Sequence, residues 1–220
     1  MFFEQMHPTW QRWLAEESEL LKSIELEVLK AEVTPPPDKV MRVFETNPEE
    51  IRVILIGQDP YPTPGDAVGL AFAVSPETKA PRSLKNIVIE LESDLGVGTV
   101  EIPAAPDLTK WANQGVFLLN RALTTEPGVS GAHLGKAFGW QEFSLKAVLA
   151  LVKRQSVVLM LWGNSAKGIK GELGGVQVSI VEAAHPSPLS ARNGFLGSQV
   201  FSDANRKLSD LGLEPIDWSC

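Results

Sequence analysis

A chain of 220 residues, 44% of them hydrophobic, can bury one sizeable core and is short for two, so a single domain over 1–220 is expected. Its 27 Asp and Glu against 20 Lys and Arg leave a formal charge of −7, which excludes a protein that coats nucleic acid or an anionic membrane through many cations; any contact with a polyanion must be local. The one cysteine, Cys220, excludes internal disulfides, a Cys-rich zinc site and an iron–sulfur cluster, and with no basic signal segment in Met1–Gln5 and no membrane-length apolar run, a soluble cytoplasmic protein is expected.

In chain order, Trp10, Trp13, Leu14, Leu20, Leu21, Ile24, Val28 and Leu29 recur at helical spacing and predict one long amphipathic helix after Thr9, stopped by Pro35-Pro36-Pro37. The apolar run Ile51 to Ile56 reads as a buried strand that breaks into Gly57-Gln58-Asp59-Pro60-Tyr61. Ser83 is a suitable N-cap for a helix carrying Ile87, Val88 and Leu91 and ending near Gly96; Gly96 to Leu108 then reads as loop. Val116-Phe117-Leu118-Leu119 is a second strand, running into Asn120. A Gly-rich, Pro-containing loop from Thr124 to Gly139 precedes a helix from about Trp140 to Arg154. Val157 to Trp162 is a third strand, the run from Val176 through Val181 to Ala184 a fourth, and a last helix runs from about Ser202 to Leu211. Strands apolar on both faces, alternating with helices, imply a three-layer α/β sandwich with a short, mostly parallel central sheet.

Polar residues where buried strands stop mark a binding edge, because ligands of open α/β sheets sit beyond the strands' carboxyl ends. Three strands deliver Asp59, Asn120 and His185 towards one such edge, the last within His185-Pro186-Ser187-Pro188-Leu189-Ser190. Other chemistry fits poorly. Gly96 to Glu101 lacks the third glycine of a dinucleotide fingerprint, and Gly131 to Lys136 has wrong phosphate-loop spacing, with Ala137 where Ser or Thr is required. Gly163 to Lys167 misses the nucleophile elbow by its last residue, and His7, His133 and His185 are too scattered for zinc. A triad pairing His185 with a neighbouring serine stays open.

Together, Gly57-Gln58-Asp59-Pro60-Tyr61, Gly69-Leu70-Ala71-Phe72, Leu118-Leu119-Asn120, Leu161-Trp162-Gly163, the His185–Ser190 segment and Pro215-Ile216-Asp217-Trp218 closely resemble the family-one uracil-DNA glycosylases, in the family's order, from about Val33 to Trp218. The resemblance implies a monofunctional glycosylase that flips uracil from single- or double-stranded DNA and hydrolyses its glycosidic bond, leaving an abasic site as the first step of base-excision repair. It makes Asp59 and His185 catalytic: the carboxylate orients the attacking water and stabilises a cationic sugar, and the imidazole hydrogen-bonds uracil O2. Gln58, Tyr61, Phe72 and Asn120 bind uracil: Phe72 stacks on the ring, Asn120 reads its N3 and O4 edge, and Tyr61 excludes a thymine methyl. Ser83, Ser187 and Ser190 contact phosphates while Leu189 enters the base stack. No metal, nucleotide or flavin is implied. A phage-type inhibitor protein is an implied partner, no membrane is, and the enzyme is expected to be a monomer.

Bland readings stand beside these roles. Asp before Pro is a common turn former, Phe72 beside Leu70 a core residue, Tyr61 a turn cap and Leu189 a packed loop residue. The chain also departs from the family. Pro62 stands where most members carry His and offers no side-chain donor; Arg192 and Asn193 follow Ser190 in place of the usual pair, Arg192 being a candidate replacement cation. Ser75 to Arg82 is poorer in proline than the family's DNA-pressing loop, and His133 to Trp140 is slightly longer. Two rivals remain, a pyrimidine glycosylase of altered base choice and a catalytically silent DNA-binding module; Tyr61 with Asn120 argues against the first, and Asp59 with His185 against the second.

Overall fold

A computed structural model describes residues 1–96 and 108–219. In chain order its elements are α1 (Phe2–Gln5), α2 (Pro8–Trp13), α3 (Ser18–Val28), β1 (Val53–Gly57), α4 (Arg82–Leu95), α5 (Thr109–Ala112), β2 (Val116–Asn120), α6 (Trp140–Val152), β3 (Val158–Trp162), α7 (Asn164–Lys167), β4 (Ser179–Ala183) and α8 (Val200–Asp210). The expected loop from Gly96 to Leu108 lies, except for its two end residues, outside the described residues, as does Cys220. Among the described residues no helix is long and apolar enough to cross a membrane.

The four strands form one wholly parallel sheet in the order β2-β1-β3-β4. Its register separates two faces, since neighbours along a strand point oppositely and paired residues point the same way. Phe117 pairs with Ile54, which pairs with Leu159. On that face Trp10 of α2 packs on Phe117 and Phe44 at 5.2 Å each, and Phe143 of α6 packs on Phe44 at 5.4 Å. Trp162, three residues beyond Leu159, points the other way, onto Phe195 at 5.1 Å and onto Phe201 of α8 at 5.9 Å. Each buried side chain of this size stabilises the fold by roughly 1.5–3 kcal/mol relative to exposure, so two aromatic layers explain why the sheet carries helices on both sides.

Three expectations are corrected. The opening helix is not continuous: Leu14 leaves helical angles (φ −112, ψ 25), and a 3₁₀ turn, Ala15–Glu17, separates α2 from α3. A straight helix would carry Glu17 and Ser18 onto the face of Trp10 and Leu14. The break turns Glu17 to Lys146 of α6 at 3.2 Å and restarts the stripe at Leu21, Ile24 and Val28. Ser83 is not an N-cap: α4 begins at Arg82 after Pro81, and the Ser83 hydroxyl is bonded to Tyr61 instead. The fourth strand is Ser179–Ala183 only, because β3 begins at Val158, whose partner is Ser179; Val176 and Val178 have no neighbour to pair with. The αL cap at Gly96 is as expected.

Candidate active site

β1 and β2 end side by side, with Gly57 opposite Asn120. Asn120 lies three residues beyond Phe117 and therefore points to the Trp162 face. Glycine is required opposite it, because a Cβ on Gly57 would stand 2.2 Å from Asn120 Oδ1. The Asn120 carboxamide is buried, yet none of the described residues hydrogen-bonds it, and it opens into a cleft of about 460 Å³ at the carboxyl edge of the sheet. The amide faces the open cleft with its donor and acceptor free, so the arrangement is suited to a ligand that supplies the missing bonds.

Phe72 forms one wall of the cleft. Its backbone holds a left-handed φ of 64°, uncommon for a bulky residue, and the adjacent Ala71 N–H donates to Leu118 O on the outer edge of β2 at 2.8 Å. Its ring rests 5.3 Å from Trp162 and 5.9 Å from His185, so it serves the core and the cleft together. Tyr61 is fixed by its hydroxyl, 2.9 Å from Ser83 Oγ and 3.4 Å from Phe72 O; burial pushes its phenol up to about 12, which keeps it neutral.

His185 follows β4 and packs against Gly163, where a Cβ would come within 2.8 Å of the His185 Cβ. Its Nδ1 accepts the Ser187 N–H at 3.1 Å. A backbone N–H can only donate, so Nδ1 is unprotonated and the neutral ring carries its proton on Nε2. Burial pulls the imidazole below 6.5, partly opposed by the charge of Asp59. The Asp59 carboxylate accepts from Gln58 Nε2 at 2.9 Å, Ser130 Oγ at 2.9 Å and Gly131 N at 2.6 Å.

The loop after His185 is braced. Ser190 Oγ donates to His185 O at 2.7 Å, which commits its one proton, so in the 3.0 Å contact between the two hydroxyls Ser187 is the donor. Asn86 Nδ2 holds Pro186 O at 2.8 Å. At the apex Leu189 is 92% exposed. Asn86 belongs to a polar stripe on α4, spaced three or four residues apart. Ser83 meets Tyr61, Asn86 meets Pro186, the buried Glu90 accepts the Gly197 and Gln199 N–H groups, and Asp94 caps α8 through the Phe201 and Ser202 N–H groups.

The cleft thus gathers Gln58, Asp59, Tyr61, Phe72, Ser83, Asn120, His185, Ser187 and Leu189; Ser190 braces the loop behind it. Arg192 and Asn193 lie exposed on a 3₁₀ turn, Ala191–Asn193. Sequence reading missed Ser130 and Asn86. Their partners are 71 and 100 residues away, and nothing local to either residue announces them. Among the described residues no group of His, Cys, Asp and Glu is placed to hold a metal ion.

Residues 44–209 match the family model of the Uracil DNA glycosylase superfamily. The chain belongs to this superfamily. Relatives named uracil-DNA glycosylase include a protein of Mycolicibacterium vanbaalenii, 48% identical over 200 residues that span 87% of this chain and 86% of that one, and a protein of Thermobifida fusca, 47% identical over 186 residues that span 84% and 78%. The solved mimivirus uracil-DNA glycosylase has the same fold, with a TM-score of 0.87 at 23% identity over 100% of this chain and 90% of that one; a Y322L form of it was solved in complex with UGI. The activity of this glycosylase is excision of uracil from DNA, an N-glycosyl hydrolysis that serves DNA repair.

Proposed function

We propose that the cleft takes a uracil nucleotide rotated out of DNA and that the residues around it divide the work as follows. The unpartnered Asn120 carboxamide, which carries this reading, offers an acceptor to uracil N3–H and a donor to O4; cytosine presents the opposite pattern. Phe72 stacks on the ring, Gln58 lines the pocket, and the immobilised Tyr61 fills the space beside C5. The His185 Nε2–H, fixed by the Ser187 N–H on the other nitrogen, donates to uracil O2 as negative charge grows on the leaving base. Asp59 orients the attacking water, takes its proton, and stabilises the cationic sugar.

Extrusion from a duplex costs about a few kcal/mol of stacking and pairing, and Leu189 replaces the departing base in the stack. Ser83 stands in the first turn of α4, whose free N–H groups and dipole favour a phosphate, and on the opposite loop Ser187 would turn its hydroxyl from Ser190 to a phosphate while Ser190, bonded to His185 O, holds the loop in place. Neutral donors of this kind reconcile a net charge of −7 with a DNA substrate. The enzyme acts as a one-domain cytoplasmic monomer, and an inhibitor of the UGI kind, as on the mimivirus protein, is a proposed partner.

Release of free base from oligonucleotides carrying one uracil, cytosine or thymine tests the pocket. The wild type is expected to release uracil alone and Tyr61→Ala to release thymine as well; comparable release of cytosine by the wild type would overturn the assignment of Asn120.

A further inference from the structure

The carboxylate of Asp59 is held more completely than a surface turn requires. An ionised carboxylate offers about four lone-pair directions. Ser130 Oγ and Gly131 N–H occupy both on Oδ2, and Gln58 Nε2 occupies one on Oδ1. One acceptor direction is left, on Oδ1. We infer that Ser130, together with the Gly131 backbone N–H, is a positioning residue that sets which oxygen of Asp59 receives the proton of the attacking water.

The segment carrying these donors is itself tied to the Asp59 turn. Gly128 N donates to Pro62 O at 2.8 Å, and Thr125 exchanges two backbone bonds of 3.0 Å with Thr34. Thr125 Oγ1 closes the turn on Val129 O at 2.6 Å. At its base, Thr124 Oγ1 receives the indole N–H of the buried Trp140 at 2.7 Å and meets His133 Nδ1 at 2.8 Å. Pro62, adjacent to Tyr61, has no side-chain donor to offer Asp59, so the side-chain and loop donors come from the neighbouring residue Gln58 and from a segment 71 residues further along the chain. Ser130 is exposed and packs on nothing in the core. Its hydroxyl can therefore be removed without opening a cavity, which separates positioning from folding.

The inference rests on the reading of Asp59 as the residue that prepares the water, and the test keeps the two apart. Single-turnover uracil release from a single-stranded oligonucleotide is measured, with KM and thermal midpoint, for the wild type, Ser130→Ala, Ser130→Thr, Asp59→Ala and the Asp59→Ala/Ser130→Ala pair. Because misplacing a reacting group by about 1 Å costs up to roughly 10²-fold, Ser130→Ala is expected to lower the rate roughly ten-fold at unchanged KM and midpoint. Ser130→Thr, which keeps the hydroxyl, should restore most of it, and Ser130→Ala should cost nothing further once Asp59 is alanine. An undiminished rate in Ser130→Ala, or the same loss in the Asp59→Ala background, would overturn the role of Ser130 while leaving Asp59 in place. An undiminished rate in Asp59→Ala would instead remove the reading on which it rests.

Discussion

The floor and the rim of the cleft are built on opposite terms. At the floor Asp59 accepts three hydrogen bonds, Gly57 leaves room for Asn120, and Phe72 is locked against Trp162. At the rim Leu189 stands 92% exposed, forgoing the roughly 1.5–3 kcal/mol that burial of a leucine provides. Yet the rim is not loose: Ser190 N and Ala191 N close on Ser187 O at 3.0 and 2.8 Å, and Asn86 holds Pro186 from α4. Exposure here is a matter of an unoccupied partner, whereas the Asp59 carboxylate at the floor is held without one. Groups that act on bonds are fixed in advance, and the group that enters another molecule is left in water on a stiff support.

Breaking the floor should cost most. Asp59→Asn removes the acceptor charge and is expected to slow uracil release by about 10²–10⁴-fold on single-stranded and duplex DNA alike, with DNA affinity retained. Rates and binding measured on the same oligonucleotides check it, and an unchanged rate would take Asp59 out of the chemistry. Gly57→Ala comes next. The new Cβ, 2.2 Å from Asn120 Oδ1, must displace the carboxamide by about 1 Å, which corresponds to roughly 10²-fold in catalytic efficiency. Because the clash falls on a strand end, the thermal midpoint should drop as well; full activity would show that Asn120 need not sit where it does.

A smaller effect sharpens the electrostatics. His185 and His133 are both pulled below 6.5, chiefly by burial. Above that value both states of the chain hold neutral rings and stability is level with pH. As pH falls through it, the unfolded chain takes up protons that the folded chain does not, so the unfolded state binds more and stability declines. The urea midpoint should therefore fall between pH 7.5 and 5.5, and His133→Gln should flatten that decline. A midpoint that rose on acidification would contradict the buried neutral rings.

Much of this was readable from residues alone. Strands apolar on both faces declare a covered parallel sheet, and Asp59, Asn120 and His185 stand where those strands stop. What escaped depended on distance or on partners. The stripe from Trp10 to Leu29 has helical period but cannot show that Glu17 would land in the core unless the chain bends at Leu14. Val176 and Val178 are as apolar as a strand requires, but nothing in their own sequence says that β3 begins too late to pair with them. Ser83 looks like a cap until Tyr61 claims its hydroxyl, and Ser130 and Asn86 are polar loop and helix residues until the fold brings Asp59 and Pro186 to them.

The contrast between floor and rim is tested most directly by the ratio of single-turnover excision rates on duplex and single-stranded uracil DNA, measured for the wild type, Asp59→Asn and Leu189→Ala. Replacing Leu189 withdraws three side-chain carbons from the stack at about 0.8 kcal/mol each, so Leu189→Ala should lower the duplex rate by up to roughly 50-fold while leaving the single-stranded rate nearly untouched. Asp59→Asn should lower both rates and leave the ratio as it is in the wild type. A ratio that fell in Asp59→Asn, or equal losses on both substrates in Leu189→Ala, would contradict the division of labour between the pinned floor and the exposed rim.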